Sequence, residues 1–359
     1  MKSKMFVFLA LLIVSAMVFT ACSTAAEEAA PAEEAAAEEA APAAEPIKVI
    51  HLVNGTLGDK SFFDSAERGV KQASEDFGFT YKTIEMGSDP AAWQPGLEDA
   101  AANEDYDIMV LGTYQMTEFL EQIAGNYPDK YFMIYDSAVT PENCTNACEN
   151  VYSVTYKQNE GSYIAGVFAA MMSQTGIVGV IGAQSIPVID DFIVGYTQGA
   201  QSVSPDIQVL VNYAGGWYDA AKGKEQALAM YQQGADYIFQ VAGATGDGIF
   251  QAALETGNYA IGVDSDQATI IQDTNPELAA VIATSMMKKV DNSLYRALKL
   301  HLEGTLPYGT SEALGVAEDG VGLAKNDIYD ALTPQDIKDA ITQVEADITA
   351  GNIAIDTAF

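Results

Sequence analysis

Three side chains are suited to binding a polar ligand, and two of them follow stretches that are typical of β-strands. Asp264 comes directly after the apolar run 260–263, and its carboxylate can accept two hydrogen bonds from adjacent hydroxyls, as a sugar offers them. Lys288 can donate to the same hydroxyls and balance the charge of Asp264 in a desolvated cleft. Asp136 ends the run 131–135 and is a candidate for binding polar edges of a ligand. The alternatives are capping of the next helix for Asp264 and a solvated helix face for Lys288.

Two aromatic residues and a glycine-rich loop are further candidates for ligand contact. Phe62 follows a strand-end turn and opens a predicted helix, where packing into the core is an equal alternative. Trp217 lies in the glycine-rich stretch 213–219, and the lack of a helical or strand pattern there argues against burial in the core. Gly243, in the stretch 242–248, permits close approach of the backbone to a ligand. The sequence contains no G-x-x-x-x-G-K-[ST] loop, so this chain is not expected to hydrolyse ATP.

The elements that must position these residues alternate along the chain. From residue 47 onward, short β-branched runs alternate with longer amphipathic stretches, beginning with a strand at 47–53 and helical spacing over 61–76. This alternation predicts right-handed βαβ units and parallel sheets that are covered on both faces. Two consecutive sets of such units in about 300 residues favour two Rossmann-like lobes over the competing (β/α)₈ barrel. A cysteine-bearing loop in mid-chain also counts against the barrel.

Ligands of open parallel sheets bind beyond the carboxyl ends of the strands, which selects a small set of loops. If the carboxyl ends of the strands in the two lobes face each other, these loops line a cleft between the lobes. The predicted loops are 54–63, 112–117, 136–139, 182–187, 214–219, 242–248 and 264–267.

The last third of the chain is expected to pass between the lobes. It reads as a strand at 279–284, a helix at 285–303, a glycine-rich strand pair within 307–323 and a final helix at 333–350. The predicted first lobe is therefore 47–155 plus about 285–305, and the predicted second lobe is 156–284 plus about 306–359.

The first 46 residues predict export rather than folding. Two lysines precede the apolar run 5–18, which is too short to span a bilayer comfortably, and residues 1–21 therefore read as a signal peptide. Cys22 directly follows a small-residue cut site and resembles the lipid-accepting cysteine of a bacterial lipobox; a plain secretory signal is the alternative. Residues 22–46 are almost entirely Ala, Glu and Pro, which predicts a disordered tether. The expected location is the outer face of the cell membrane, periplasmic or on the cell surface.

Charge and cysteine content narrow the partners. The formal net charge of −33 leaves no basic patch, so nucleic acid and anionic lipid surfaces are poor partners.

Cys144 and Cys148 lie four residues apart in a polar loop, which predicts a local disulfide in an oxidising compartment. Half of a metal site is the alternative, but only two histidines exist, so no metal is predicted.

The predicted ligand loops also carry a family resemblance. The segment G-D-K-S-F-F-D-S at 58–65 resembles the D-x-S-F-N segment of the basic membrane protein family, the PnrA-like nucleoside-binding lipoproteins of ABC transporters. The resemblance covers most of the chain after the tether, and it implies a type I periplasmic-binding-protein fold with a hinged cleft between two lobes. The other matching segments, in order, are 160–166, 213–219, 242–248, 261–267 and 284–291.

The resemblance implies that the cleft captures a nucleoside, with purine nucleosides favoured, for an ABC permease and its ATPase. It places Phe62 in the cleft, where stacking on a base is worth roughly 1–3 kcal/mol, and Trp217 is then expected on the opposite face of the base. From their chemistry, Asp264 and Lys288 are expected at the ribose and Asp136 at the base. No enzymatic activity and no cofactor are expected, and the receptor is expected to be a monomer held to the membrane only by its lipid.

Several positions leave the ligand open. Phe63 stands where the family commonly has Asn, and a phenyl ring can neither donate nor accept the hydrogen bonds of an amide. Tyr114 or Gln115 is expected to supply that polarity, while Asp59 is expected mainly to order its loop by capping the first helix. The alternatives are a receptor for a sugar, a flavin or a signalling molecule, a surface adhesin or sensor, and a nucleoside hydrolase that uses Asp264 or Asp266.

Overall fold

The computed structural model describes residues 46–359. The predicted signal peptide, the lipidation site Cys22 and all but the last residue of the predicted tether lie outside the described residues. Within the described part, the strands are β1 (Lys48–Val53), β2 (Thr80–Glu85), β3 (Ile108–Gly112), β4 (Tyr131–Tyr135), β5 (Val151–Tyr156), β6 (Ile177–Gly182), β7 (Gln208–Tyr213), β8 (Tyr237–Val241), β9 (Tyr259–Asp264), β10 (Ile282–Lys288), β11 (Ser311–Leu314) and β12 (Val321–Leu323).

Helices follow most of the strands. They are α1 (Phe62–Phe77), α2 (Trp93–Asn103), α3 (Thr117–Ile123), α4 (Gln158–Met172), α5 (Pro187–Val203), α6 (Ala220–Gln232), α7 (Gly246–Thr256), α8 (Gln267–Gln272), α9 (Pro276–Ala279), α10 (Val290–Leu302), α11 (Asp327–Leu332) and α12 (Gln335–Thr349). No helix within residues 46–359 is long and apolar enough to cross a membrane.

The strands form two six-stranded sheets, each the centre of one lobe. The first sheet has the order β11-β5-β4-β3-β1-β2 and is parallel throughout. The second has the order β12-β10-β9-β8-β6-β7 and is parallel except for the pairing of β12 with β10. Two open sheets confirm the two-lobed architecture and exclude the barrel.

Burial follows position in the sheet. The central strands β3 and β8 are buried along their whole length, because helices cover both faces of each sheet. The edge strands β2 and β7 keep several exposed residues. The strands that the sequence predicts from continuous apolar runs are therefore the ones at the centres of the sheets.

The chain passes between the lobes three times, after β5, after β10 and between β11 and β12. Helix α10 returns to the first lobe and packs on α1, where a Cβ at Gly69 would lie 2.4 Å from the Asp291 carbonyl oxygen. The late elements differ from the sequence prediction, since β10 extends to Lys288 and α10 begins only at Val290.

Two strands occur within 307–323, as predicted, but the expectation that they form a pair is wrong. β11 pairs with β5 in the first sheet, and β12 pairs with β10 in the second, so the segment joins two sheets rather than forming a hairpin. The first lobe thus also receives 311–314, which the prediction gave to the second. Such strands, of four and three residues, owe their structure to the neighbouring sheet edges rather than to their own sequence.

The loop after β4 contains the two remaining cysteines. Cys144 and Cys148 are joined by a disulfide, with their Cα atoms 5.3 Å apart. Both side chains are buried against the apolar core beneath the first sheet. The loop is thus anchored to the first lobe by packing as well as by the covalent link.

Candidate functional site

The carboxyl ends of both sheets line a cleft of about 420 Å³, a volume within the usual range for small-molecule sites. All of the ligand-binding residues predicted from the sequence line this one cleft. They are Asp59, Phe62, Phe63, Tyr114, Asp136, Trp217, Gly243, Asp264 and Lys288.

Lys288 and Asp136 connect the lobes at the cleft. Lys288 ends β10 and is 2% exposed, and its Nζ donates to Asp136 Oδ1 over 2.7 Å. Burial raises the pKa of Asp136, although the ammonium of Lys288 opposes that change. The sequence predicts Lys288 as the counter-charge of Asp264, whereas the structure gives its direct ion pair to Asp136.

Asp264 ends β9 and is also buried. Its Oδ2 accepts a hydrogen bond from Ser61 Oγ over 2.5 Å, which joins the two lobes a second time. Burial raises the pKa of Asp264 to about 6, against the opposing effects of Lys288 and the Ser61 hydroxyl. The next helix, α8, is capped by Asp266, which accepts the backbone N–H of Thr269, so Asp264 is not its cap.

Two acidic residues and a threonine at the strand ends have left-handed backbone conformations. The φ angles of Thr113, Asp136 and Asp264 are 73°, 60° and 64°, and these residues terminate or follow β3, β4 and β9. Such conformations are uncommon in non-glycine residues and concentrate at functional sites.

Phe62 forms an aromatic wall with its neighbours. Its ring lies 5.3 Å from the rings of Phe63 and Tyr135, and the Lys288 ammonium lies 5.7 Å from its centroid. The same ammonium lies 4.8 Å from the ring of Phe192, within range of a cation–π attraction. Phe62 is half-buried and lines the cleft, so one face of its ring packs on its neighbours while the side chain stays accessible from the cleft.

Phe63 is buried more deeply and packs against the loop after β1. A Cβ at Gly55 would lie 2.5 Å from the Phe63 ring and 2.7 Å from the Tyr218 hydroxyl. Glycine is therefore required where these two rings approach the backbone from different lobes.

Trp217 lies on the second lobe, in a loop held by several hydrogen bonds. The backbone N–H of Thr245 donates to the Trp217 carbonyl over 3.0 Å, and the Thr245 hydroxyl donates to the carbonyl of Gly216. A Cβ at Gly243, whose φ is 57°, would lie 3.4 Å from the Trp217 ring. The indole is half-buried on the cleft wall rather than in the core.

Asp59 holds the start of α1. Its carboxylate accepts the backbone N–H groups of Ser61, Phe63 and Asp64 at 3.0, 3.0 and 3.1 Å. Burial raises the pKa of Asp59, and these three hydrogen bonds oppose the rise. Its oxygens are thus already engaged by the helix start, as the sequence prediction of a capping role expected.

The cleft includes residues that the sequence did not single out. Trp93 begins α2, and its Nε1 donates to the Gly87 carbonyl over 2.8 Å. Phe192 lies on α5, and the sequence offered no signal for it beyond the predicted helix. Asn54 lies within a predicted ligand loop, and its position directly after β1 was the available signal.

Tyr114 and Gln115, which the sequence predicts as polar residues of the site, lie side by side at the cleft. Tyr114 is 46% exposed there.

Contacts across the cleft join the lobes. Lys60 Nζ lies 2.8 Å from Asp247 Oδ2, and the hydroxyl of Ser265 donates to the Ser61 carbonyl over 3.0 Å. The backbone of Thr56 hydrogen-bonds the Tyr218 hydroxyl. Within residues 46–359, no three His, Cys, Asp or Glu side chains cluster in a way that could hold a metal ion.

Comparison with known proteins places this architecture in a family. The Bmp family model, described as ABC transporter substrate-binding protein PnrA-like, matches residues 47–353. The ABC transporter nucleoside-binding protein BmpA of Lactococcus lactis is 30% identical over 315 residues, covering 83% of this chain and 86% of that protein. Basic membrane protein D of Borreliella burgdorferi is 31% identical over 284 residues, covering 77% and 78%.

Solved structures agree with the family match. An ABC transporter solute-binding protein from Aeropyrum pernix superposes with a TM-score of 0.76 at 26% identity, covering 87% of this chain and 94% of that one. A solute-binding protein from Conexibacter woesei has a TM-score of 0.71 at 21% identity, covering 87% and 99%, and supports the fold alone. The chain therefore belongs to the Bmp family of PnrA-like substrate-binding proteins, extracytoplasmic receptors that bind a small ligand for the permease and ATPase of an ABC transporter.

Proposed function

We propose that this receptor captures a nucleoside, with purine nucleosides favoured, and acts as a monomer anchored through a lipid on Cys22. The observation that carries the proposal is the convergence of aromatic rings, two buried carboxylates and a buried ammonium on a single cleft. A nucleoside presents a flat base and a vicinal diol. The aromatic rings of the cleft suit the base, and its carboxylates and ammonium suit the diol. The nucleoside-binding name of the Lactococcus lactis relative also supports this ligand class.

The base lies against the aromatic residues. Phe62 lies on the first lobe and Trp217 on the second, and both line the cleft. Closure of the lobes then brings a ring to the base from each side, and base stacking on an aromatic side chain is worth roughly 1–3 kcal/mol. The rigidity of both positions limits the entropy lost on binding, because Phe62 is packed on Tyr135 and the Trp217 loop is hydrogen-bonded.

The sugar lies near the charged residues. Asp264 Oδ2 already accepts from Ser61, which leaves Oδ1 for a ligand hydroxyl. Lys288 has three N–H donors, and its bond to Asp136 leaves donors for the same hydroxyls. Ligand hydroxyls thus make the hydrogen bonds that water makes to these groups in an open cleft. Capture requires no chemical step.

A nucleoside panel tests the proposal. Native mass spectrometry of the purified protein and calorimetry after refolding measure binding of nucleosides, flavins and sugars. We expect a purine nucleoside to bind and to be recovered intact, since hydrolysis to base and ribose would indicate an enzyme instead. Tight binding of a sugar or flavin, with no nucleoside bound, overturns the proposal. Fractionation of cells that produce Cys22→Ala checks the anchor, because the variant should leave the membrane fraction.

Trp217→Ala tests the site. Loss of the indole should weaken nucleoside binding at least roughly tenfold, which corresponds to about 1.4 kcal/mol, without changing the melting temperature. Tyr131→Ala is the control, because Tyr131 is an exposed aromatic residue that does not line the cleft. Equal affinity of the Trp217→Ala protein and the control protein would contradict the assignment of Trp217.

A further inference from the structure

Asn54 presents an unpaired oxygen at the cleft. The residue follows β1, is 4% exposed and lines the cleft. Its Nδ2 donates to Thr113 Oγ1 over 2.8 Å, while its Oδ1 is buried and finds no hydrogen-bond partner within residues 46–359. With the amide nitrogen engaged by Thr113, the oxygen is the atom left for another group.

A second unpaired oxygen lies close along the same sheet. Gln115 follows β3, which is the neighbour of β1, and its Oε1 is also buried without a partner in the described chain. Gln115 lines the cleft together with Thr113 and Asn54. Two unsatisfied acceptors at the ends of adjacent strands therefore belong to one wall of the first lobe.

Leaving buried acceptors unpaired is costly, so a bound ligand is the natural source of their donors. An unsatisfied buried polar group costs about 1–3 kcal/mol, and native proteins rarely tolerate it without a reason. The Lys288 ammonium lines the same cleft but donates to neither of these two oxygens. Phe63, on the same lobe, offers no hydrogen bond.

We propose that Asn54, assisted by Gln115, is a specificity-determining residue that accepts hydrogen bonds from N–H groups of the bound base. The inference rests on the proposed nucleoside function and narrows it to bases that carry ring or amino N–H donors. A site built around acceptors discriminates strongly against an analogue without donors, because that analogue leaves the protein oxygens unpaired. The two amides also supply the base-directed polarity that Phe63 cannot.

Calorimetry with two purine nucleosides tests the assignment. Guanosine carries a ring N–H and an amino group on its base, whereas purine riboside carries no N–H on its base and is otherwise similar in shape. The unmodified protein should bind guanosine at least roughly tenfold more tightly than purine riboside. Asn54→Leu should reduce this preference to less than about threefold, through loss of guanosine affinity rather than gain of purine riboside affinity.

Gln115→Leu provides a second variant in case Asn54→Leu does not fold, and it should also reduce the preference. Gln226→Leu is the matched control, since Gln226 Oε1 is likewise buried and unpaired but the residue does not line the cleft. The control should keep the full preference for guanosine.

The outcomes separate this inference from the proposed function. Equal binding of guanosine and purine riboside to the unmodified protein overturns the inference and leaves nucleoside capture standing. A preference that neither leucine variant changes also overturns it. If no nucleoside binds at all, the proposed function fails and the inference fails with it.

Discussion

At the scale of single residues, the cleft holds acidic side chains in surroundings that disfavour their charge. Burial raises the pKa values of Asp59, Asp136 and Asp264, and for Asp264 the value reaches about 6. A buried carboxylate that must ionise at neutral pH reduces the stability of the protein. Under the proposed function, stability and ligand binding are therefore in conflict at Asp264.

Asp264→Asn should stabilise the ligand-free protein at neutral pH. The pKa change from 3.8 to about 6 means that ionised Asp264 costs up to about 3 kcal/mol of folding free energy above pH 6. The folded state binds the proton more tightly than the unfolded state, so this penalty is absent below pH 3.8 and grows as pH rises through 6. The amide carries no charge and avoids the penalty, but it should weaken nucleoside binding roughly tenfold.

Urea unfolding at pH 4, 5, 6 and 7 checks this expectation. The stability gain of Asp264→Asn should be largest at pH 7 and should shrink toward zero near pH 4. Asp206→Asn is the control, because Asp206 is exposed and its substitution should change stability little. A gain that is constant from pH 4 to 7, or a loss at pH 7, contradicts the argument.

The sequence predicted which residues line the cleft better than it predicted their partners. Strand ends, a glycine-rich loop and the family resemblance led to side chains that all line the cleft. Lys288 was predicted opposite Asp264, but its ion pair is with Asp136 on the other lobe. Such a pairing depends on how two separate sheets meet, which no local pattern contains. Trp93 was missed for a different reason, because the segment between β2 and α2 was not among the predicted ligand loops.

At the scale of elements, the start of α1 positions two aromatic residues of the cleft. Asp59 accepts backbone N–H groups at the helix start, while the Asp64 side chain accepts those of Gly58 and Lys60 at 2.7 and 2.8 Å. This reciprocal arrangement satisfies amides that have no partner inside the helix. It also fixes where Phe62 leaves the backbone.

Asp59→Ala should therefore reduce both stability and ligand affinity. Loss of a helix cap typically costs about 0.5–2 kcal/mol, and fraying of the first turn should displace Phe62 from the cleft wall. Denaturant unfolding measures the first effect and calorimetry with a nucleoside measures the second. Asn326→Ala is the control, because Asn326 caps α11 by accepting the Tyr329 N–H and does not line the cleft. If Asp59→Ala lowers stability but binds the nucleoside as tightly as Asn326→Ala does, the link between the helix cap and ligand affinity is contradicted.

The longer elements were predictable from sequence and the shortest were not. The central strands and the amphipathic helices lie close to their predicted positions because a buried face imposes a regular apolar pattern. The segment 307–323 carried too few residues for such a pattern, and its two strands went to different sheets. Pairing with an existing sheet edge, rather than local propensity, determined which sheet each strand joined.

At the scale of the whole molecule, two lobes are joined by three chain crossings and by side-chain contacts across the cleft. One crossing follows β5, one follows β10, and one joins β11 to β12. These four strands are the first two in the order of each sheet, so the crossings leave the sheets near the same edge. Contacts such as Ser61 with Asp264 and Lys60 with Asp247 belong to the closed arrangement of the lobes. A ligand that touches both lobes should stabilise this arrangement because it binds the closed state better.

The ion pair between Lys60 and Asp247 should slow ligand release. Both side chains are about one-third exposed, so the pair is worth roughly 0.2–1 kcal/mol, and Lys60→Met should raise the dissociation rate about two- to fivefold. The difference should shrink in high salt, because screening weakens exposed pairs. Lys224→Met is the control: Lys224 is 35% exposed, close to Lys60, and its pair with Glu255 lies within the second lobe. Stopped-flow measurements that give both variants the same dissociation rate would show that the pair does not hold the lobes closed.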